Sequence, residues 1–393
     1  MTATSSESTG IPAPRTTEDA APRTAWFQAV PFFLVHAAPL AALVVTVTWT
    51  DWVLCGVLYA VRMFAITGGY HRYFSHRSYK TGRVPQFLMA VVGTTAVQKG
   101  PLWWAGHHRI HHRFTDVDGD VHSPRDGFWW SHVGWILSTK YKATDVDSIK
   151  DFAAFPELRL VDRFHLVGPL ALAAACFLIG GWGGLVIGFC LSTVLLWHAT
   201  FFVNSLAHVL GRRRYATPDT SRNSLFIALV TGGEGWHNNH HYLPASVRQG
   251  LAWWEFDPTW YTLRALAALG IVRDLRLPPA RLLEQARVRD GAFDIGMFRA
   301  YWERAARLAG DRIADLSARP VAVSVEVADA LADTATAAPA DAADAVALER
   351  SALTGLIARA LESADQLAVS TRRSRKGATP VVRDADPADP VVE

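Results

Sequence analysis

Cysteine is scarce in this chain, with only Cys55, Cys176 and Cys190 among 393 residues. All three lie far apart in apolar stretches, so we predict small core residues and exclude a disulfide framework and a zinc ribbon. An iron–sulfur cluster is excluded as well, because such a cluster takes four cysteine ligands.

Charge is scarce too. Charged residues make up 19% of the chain, against roughly a quarter in ordinary soluble domains. Hydrophobic residues make up 50%, and mean hydropathy is positive. This balance favours a membrane protein. The 39 basic and 36 acidic residues leave a net charge of only +3, which argues against a nucleic-acid partner.

Long apolar stretches predict membrane spans, each needing about 20 residues. They cover residues 30–49, 52–70, 164–180 and 182–207. The links within each pair are short, Thr50-Asp51 and the turn around 180–184, which predicts two helical hairpins. Neither link holds Lys or Arg, so both termini and the central region are expected on the cytoplasmic side. Arg62 falls inside the second span and should find a partner on a neighbouring helix.

Nine histidines form the strongest pattern in the chain. They occur as His71 and His76; as His108, His111 and His112; as His237, His240 and His241; and as the single His208. Residues i, i+3 and i+4 of a helix share a face, so each HxxHH box is predicted to converge on one point. The i, i+5 pair is expected where a helix ends and the chain turns.

Imidazole is the commonest protein ligand for metals at neutral pH. Nine rings are too many for one ion, because a closed site uses about four ligands, so the sequence predicts two metals. Iron, copper, zinc and nickel all accept imidazole, and ligand type leaves the metal open. The histidines follow the second and fourth spans or lie between and after the hairpins, so one centre at the cytoplasmic face can collect them.

The order of these boxes, with Asn204-Ser-Leu-Ala-His208, resembles the integral-membrane Δ9 fatty-acyl desaturases of the stearoyl-CoA type. Flanking matches are Gly69–Arg77, Asp120–Pro124, Ser131–Trp135 and Gly233–His241. The resemblance covers about residues 30–275, and Trp103–His108 is similar to the bacterial branch. It implies an all-α fold in which four transmembrane helices carry a cytoplasmic helical cap with a histidine-rich dimetal site.

The resemblance also implies the chemistry. Two Fe²⁺ ions, with O₂ and two external electrons, would introduce a cis double bond, Δ9 by family, into a long-chain acyl group. The implied metal ligands are His71, His76, His108, His111, His112, His208, His237, His240 and His241. Asn204 matches a position that reaches one iron through water. Gln98, Trp104 and Trp197 match positions at the bend of the substrate tunnel.

Two residues depart from the animal enzymes. We place Leu196 where those enzymes have a Thr at the bend, and Gly106 where they have an Arg near the CoA phosphates. Acyl-CoA, acyl-lipid and acyl-carrier-protein substrates therefore stay open, as do chain length and double-bond position. The electron donor would be a ferredoxin or a flavoprotein reductase, docking on the cap at basic residues such as Arg109 and Arg113.

The other histidines are expected to have supporting roles. His36 and His198 are predicted to be hydrogen-bonded packing residues. His107, His122, His132 and His165 are predicted to lie in loops or to contact the metal ligands without binding a metal themselves. Asp116, Asp118 or Asp120, beside His122, could orient a ligand ring, and Glu234 is expected to orient a ligand, with bridging of the metals as the alternative.

Domain limits follow from composition. Residues 1–24 are predicted to be a disordered tail, 25–317 the membrane domain with its cap at 71–163 and 208–317, and 318–393 a low-complexity tail that is dispensable for chemistry.

Rival functions are a hydroxylase or acetylenase on the same scaffold, or a membrane metal-binding protein. We expect a multi-pass protein of the cell membrane, in contact with membrane lipids, whose active site faces the cytoplasm.

Overall fold

The fold is mostly helical, as predicted. The computed structural model describes residues 24–288, 293–294 and 310. The α-helices are α1 (Trp26–Ala37), α2 (Trp49–Phe64), α3 (Arg83–Thr94), α4 (Pro101–Phe114), α5 (Trp135–Leu137), α6 (Lys150–Ala153), α7 (Pro156–Arg163), α8 (Val167–Gly183), α9 (Ser192–Asn204), α10 (Leu225–Val230), α11 (His237–Tyr242), α12 (Pro258–Ala268) and α13 (Ala280–Glu284). The predicted tails, residues 1–24 and 318–393, lie outside the described residues except for Thr24.

Short segments of other geometry complete the fold. Segments of 3₁₀ helix lie at Ala38–Leu43, Pro124–Asp126, Asp147–Ile149 and Leu206–His208, and segments of π-helix at Ala65–Ser75, Trp130–Gly134 and Gly184–Leu191. Strand β1 (Lys80–Thr81) pairs antiparallel with β3 (Val272–Arg273), and β2 (Gly211–Arg212) with β4 (Phe293–Asp294). These two-residue ladders close loops of an otherwise helical molecule.

Two helical stretches are long and apolar enough to cross a bilayer, Trp49–Ser75 and Val167–His208. The predicted second span lies in the first stretch, and the third and fourth lie largely in the other. The latter stretch is broken at Gly181, whose φ of 58° and ψ of −142° suit glycine alone. The predicted first span is represented by the shorter apolar helix Ala29–Leu43, so four full-length spans are not confirmed.

The two predicted hairpin turns meet at Asp51. Its buried carboxylate caps α2, because Oδ2 accepts hydrogen bonds from the Thr48 backbone N–H at 2.7 Å and from the Thr48 hydroxyl at 2.9 Å. A Cβ atom at Gly180 or Gly183 would lie 2.2 or 2.5 Å from that carboxylate. Glycine at these positions therefore allows the two turns to pack against each other.

Arg62 has the helix-to-helix partners that its position requires. Its guanidinium donates to the hydroxyls of Thr193 at 2.7 Å and Ser192 at 2.5 Å, both on α9, and to the Thr95 carbonyl at 3.2 Å. The expectation of a partner on a neighbouring helix is confirmed. The three cysteines are buried and free, also as predicted.

Helix α4, which carries three of the nine histidines, is fixed at its first turn. Pro101 occupies the first helical position, where the missing N–H is not needed. Asp162 Oδ1 accepts from the backbone N–H groups of Leu102 and Trp103 at 2.9 Å each, so two otherwise unpaired donors are satisfied. Gly100 is required there because a Cβ would lie 2.5 Å from the Asp162 Cα.

Candidate metal centre

The structure brings all nine predicted histidines together in two neighbouring groups. The five-His group consists of His71, His76, His108, His112 and His240, and the four-His group of His111, His208, His237 and His241. Within each group, one ring nitrogen of every residue lies within 4.8 Å of all the others. This convergence is the arrangement that the sequence predicts for two metals.

Each HxxHH box divides its rings between the groups. The i, i+4 pair His108 and His112 belongs to the five-His group, whereas His111 joins the four-His group. In α11 the i, i+4 pair His237 and His241 belongs to the four-His group, and the i+3 residue points to the other. Residues i and i+4 differ by about 40° around a helix, but i+3 and i+4 differ by about 100°. The prediction that each box converges on one point is therefore wrong.

His71 and His76 lie closer in space than an α-helix would place them. Residues Ala65–Ser75 form a π-helix, and the backbone N–H of His76 donates to the His71 carbonyl at 3.2 Å. Because a π-helix pairs residues five apart, the two rings stack edge to face, with centroids 4.8 Å apart. The predicted helix end is present at this position. The π-helical geometry, which was not predicted, brings the two rings together.

The inner nitrogens meet at distances that suit ligands of a common ion. The Nε2–Nε2 distances are 3.0 Å for His71 and His240, 2.9 Å for His76 and His108, and 2.9 Å for His208 and His237. Burial, together with neighbouring imidazoles, holds the pKa of His76, His108, His112, His237 and His240 well below the usual value. His111 Nε2 is buried without a partner among the described residues. Neutral rings with convergent lone pairs fit metal ions.

The outer nitrogens of four rings contact carboxylates. His111 Nδ1 lies 2.8 Å from Asp120, His241 Nδ1 lies 3.1 Å from Asp219, and His208 Nδ1 lies 3.4 Å from Asp116. His71 Nδ1 pairs with Glu234. Such partners fix the tautomer and the ring orientation of metal-bound histidine. Asp116, Asp120 and Glu234 therefore lie where the orienting role was predicted, whereas Asp118 is exposed.

Electrostatics supports these pairs. Burial alone would raise the pKa of Asp120, but the contact with His111 holds it well below its usual value. Burial likewise opposes charge on His111, yet Asp120 raises its pKa. The pKa of Glu234 is lowered against burial by His71 and Arg72. Each carboxylate is thus ionised and available as an acceptor.

Two asparagines that we did not single out hold α11 in place. Asn238 Oδ1 accepts from the backbone N–H groups of Arg214 and Tyr215 at 2.7 Å each. Asn239 Nδ2 donates to Glu255 Oε2 at 2.9 Å. The sequence could have pointed to Asn238 and Asn239, because both lie between the predicted ligands of one short helix. Asp219 was also missed, because it lies 22 residues before the ring that it contacts.

A cavity of about 290 Å³ reaches the five-His group, and its lining includes His71, His108 and Asn204. The predicted bend residues Gln98, Trp104 and Trp197 also line it. Gln98 accepts from Trp104 Nε1 at 3.1 Å and donates to the Thr200 hydroxyl at 2.9 Å.

Leu196, next to the lining residue Trp197, is fully buried and does not itself line the cavity, whereas Thr200, one turn later, supplies the hydroxyl that meets Gln98. The departure from the animal enzymes at Leu196 stays a prediction. Gly106 is buried beside the Asp145 carbonyl, 3.2 Å from where a Cβ would lie.

Arg109 is half-buried and makes its contacts within the protein. Its guanidinium pairs with Asp151 at 2.8 Å and donates to the carbonyls of Phe74 and Ser75 at 2.7 and 2.9 Å. The docking of an electron donor at Arg109 and Arg113 stays a prediction, and Arg113 is the more exposed of the two.

Five of the remaining histidines make hydrogen bonds through their rings. His36 Nε2 lies 3.0 Å from His198 Nε2, and His198 Nδ1 lies 3.0 Å from His132 Nε2, which agrees with hydrogen-bonded packing. His107 and His165 each pair Nδ1 with a backbone carbonyl, at 2.8 and 3.0 Å. The pKa of His107 is lowered to about 4 by burial.

The chain belongs to the fatty acid desaturase family, because the family model described as fatty acid desaturase matches residues 47–274. It is therefore an oxidoreductase that desaturates acyl chains, and the two histidine groups are compatible with a metal centre.

Individual relatives agree with this assignment. The sn-2 palmitoyl-lipid 9-desaturase of Nostoc sp. (strain 36) is 37% identical over 268 residues, which cover 66% of this chain and 92% of the relative. The acyl-CoA C20 Delta5-desaturase of Anemone leveillei is 38% identical over 237 residues, covering 59% and 76%. The Delta-9 desaturase-like 5 protein of Arabidopsis thaliana is 42% identical over 228 residues, covering 56% and 75%.

Proposed function

We propose that this protein introduces a cis Δ9 double bond into a long-chain acyl group, using two Fe²⁺ ions held by the nine histidines. The observation that carries the proposal is the division of those rings into groups of five and four beside an apolar cavity. Several relatives are named 9-desaturases of palmitoyl or stearoyl lipids, which supports the position of the bond.

The two groups would hold one iron each. When bound, the iron pair supplies the oxidising power that removes two hydrogens from unactivated methylenes, with O₂ and two external electrons. The overall reaction is –CH₂–CH₂– + O₂ + 2 e⁻ + 2 H⁺ → –CH=CH– + 2 H₂O. Acid–base side chains alone cannot do this, because methylene hydrogens are not acidic.

Asn204 is proposed to hold a water at the four-His group. That group has one histidine fewer than the other, and Asn204 lies one helical turn before its member His208. Its amide lines the cavity and has no side-chain hydrogen bond among the described residues. A water held there keeps a replaceable position for O₂.

The cavity walls would position the acyl chain. Gln98, fixed between Trp104 and Thr200, makes a rigid polar corner in an apolar channel. Trp104 stacks on His108, with centroids 5.0 Å apart, so this corner adjoins the metal centre. A chain that follows the corner bends next to the ligands, and the walls exclude water from the reacting carbons.

The acyl group is proposed to be attached to a lipid or to CoA, since some relatives are named acyl-lipid desaturases and others acyl-CoA desaturases. The electrons are proposed to come from a ferredoxin or a flavoprotein reductase, because the three buried cysteines cannot hold an iron–sulfur cluster. Arg113 is the exposed candidate for its docking.

For the membrane, we propose four crossings, with both termini and the metal centre cytoplasmic, in a domain that spans residues 25–317. The break at Gly181 supports two crossings within Val167–His208. Leucines with largely exposed side chains on the same stretch, such as Leu170 and Leu178 at 68% and 83% exposed, support contact with lipid.

The test is expression in cells that lack their own desaturase, followed by mass spectrometry with double-bond localisation. We expect cis Δ9 products that depend on O₂ and on an added donor. Hydroxylated or acetylenic products would contradict the proposal and favour the rival activities on the same scaffold. Purified protein should contain about two metal ions per chain, and one ion would contradict the dimetal site.

A further inference from the structure

A series of ring contacts leads from the histidine groups toward the surface of the protein. His111, of the four-His group, stacks on His122 with ring centroids 4.2 Å apart. His122 contacts Trp135 with centroids 5.1 Å apart, and Trp135 contacts Tyr141 with centroids 6.2 Å apart. His122, Trp135 and Tyr141 therefore form a continuous row of rings, which we call the aromatic path.

The two ends of the aromatic path differ in exposure. His122 is 4% exposed and Trp135 is 7% exposed, so the inner part is shielded from water. Tyr141 is partly exposed, and the ammonium of the exposed residue Lys140 lies 5.3 Å from its ring centroid. Electron tunnelling through protein falls steeply with distance, so several short steps carry a charge much farther than one long step. The aromatic path thus connects a proposed metal ligand with solvent.

The residue types of the aromatic path suit the loss of electrons. Indole and phenol rings are among the most easily oxidised side chains, whereas biological donors do not reduce them. An electron that arrives from a ferredoxin or a flavoprotein therefore cannot reside on Trp135 or Tyr141. These rings can instead give electrons to a strong oxidant at the metal centre, and the resulting positive charge then moves outward.

The surroundings of Trp135 favour this outward movement. An indole that has lost an electron readily loses its N–H proton to an acceptor, which traps the charge. Trp135 Nε1 is buried without a partner among the described residues, so the charge is not trapped there. Trp103 stacks on Trp135 with centroids 5.6 Å apart, but the Lys99 ammonium lies 4.2 Å from the Trp103 centroid and disfavours a second positive charge. Tyr141, which is partly exposed, can release its proton to water and become a neutral radical.

We propose that the aromatic path protects the histidine ligands when O₂ is reduced at the metal centre and no acyl chain is in place. The inference rests on the proposed function, since it assumes a metal centre that reduces O₂. In desaturation, the external donor supplies two of the four electrons that O₂ requires, and the two methylenes supply the others.

Without an acyl chain, the aromatic path supplies the two missing electrons one at a time. The balance is then O₂ + 4 e⁻ + 4 H⁺ → 2 H₂O, with the protons taken from water. Each electron leaves Trp135 and is replaced from Tyr141, which also releases a proton. A thiol reductant in solution returns one electron and one proton to Tyr141, and two such thiols are oxidised to a disulfide. The histidine ligands are thereby spared from oxidation.

The test uses variants that keep a ring at each position. Trp135→Phe keeps a ring against Trp103 but is hard to oxidise, so it interrupts the aromatic path. Trp260→Phe is the matched control, because Trp260 is also buried, at 9% exposed, and its ring contacts Arg264 and no ring of the aromatic path. Tyr141→Phe removes only the outer end, and it keeps the inference testable should Trp135→Phe fail to fold.

The first readout is the electron paramagnetic resonance spectrum of full-length, iron-loaded, reduced protein, frozen after mixing with O₂ without an acyl substrate. Wild type and Trp260→Phe should show an organic radical, and ring-deuterated tryptophan or tyrosine identifies the residue type. Trp135→Phe should lose this radical, whereas Tyr141→Phe should show a longer-lived tryptophan radical. No radical in wild type, or the same radical in Trp135→Phe, would overturn the inference.

The second readout is the site of oxidative damage, measured by peptide mass spectrometry and metal analysis after incubation with donor and O₂. Without an acyl substrate, Trp135→Phe should oxidise its ligand histidines and lose metal several-fold faster than wild type and Trp260→Phe. Equal rates would refute the protective role. Stearoyl-CoA should reduce the difference, because its methylenes then supply the electrons.

The same samples separate this inference from the proposed function. Desaturated product without a radical or a difference in damage contradicts the aromatic path and leaves the proposed function intact. A radical on Trp135 or Tyr141 in a wild type that forms no unsaturated product contradicts the proposed function and supports the aromatic path.

Discussion

The two histidine groups differ in how their rings are held. In the four-His group, three rings contact an aspartate through the outer nitrogen, namely Asp116, Asp120 and Asp219. In the five-His group, His71 contacts Glu234, and the other four have no such partner among the described residues. The five-His group instead faces the cavity through His71 and His108.

This contrast indicates a division of tasks between the proposed metals. The four-His group would suit a metal that keeps one replaceable position. Its aspartates fix the orientation of the rings, so this orientation does not depend on a fifth histidine. More rings beside the cavity suit a filled coordination sphere next to the substrate. The HxxHH boxes contribute to both groups, so helices α4 and α11 keep the two sites in a fixed relation.

The largest effect should come from removing one ring from each group in separate variants. His111→Ala and His112→Ala change neighbouring positions of α4 but belong to different groups. Each should lose essentially all turnover and about one metal per chain. The metals differ in their surroundings, so the metal spectra of the two variants should differ. Identical spectra would break the proposed distinction.

Replacing Asn204 should give the next effect. Asn204→His offers a fifth ring to the four-His group, so we expect two tightly held metals with little activity. Asn204→Ala should keep both metals and lose most turnover. Full activity in Asn204→His would show that no open position lies there. Thr200→Val serves as a control on the same helix that alters the bend and not the metals.

Replacing the carboxylates that contact the histidines should reduce metal affinity less than removing a histidine does. The four-His group, with three such carboxylates, should be the more sensitive of the two. Asp120→Asn should weaken metal binding at the four-His group by roughly 10- to 100-fold, since carboxylates that hydrogen-bond a metal-bound histidine act at that scale. Glu234→Gln should act on the five-His group instead. Competition with a chelator, followed by metal analysis, measures both. Equal weakening of both groups by Asp120→Asn would contradict the assignment.

The smallest expected effect, about 1–3 kcal/mol in the free energy of unfolding, comes from Asn238→Ala, which leaves two backbone donors without an acceptor. Asn238 fixes α11, which carries rings of both groups, so both should weaken together. Thermal unfolding of the metal-loaded protein, with metal titration, would measure this. A loss confined to one group would mean that α11 is not the shared support.

Local patterns predicted much of this molecule. The apolar stretches located the long helices, and the three boxes with His208 located the nine rings that converge. The scarcity of cysteine predicted free, buried thiols. These inferences hold because composition and helical spacing are properties of short segments, which the folded chain retains.

Only the tertiary structure decided how the rings are shared. An HxxHH pattern gives three rings on one side of a helix, but the approach of α4 to α11 decides which ring faces which group. The π-helix that joins His71 to His76 depends on the packing around residues 65–75, and spacing alone predicted only a helix end. Asp219 and Thr200 acquire their contacts from segments distant in sequence, because a contact across the fold leaves no periodic signal in the chain.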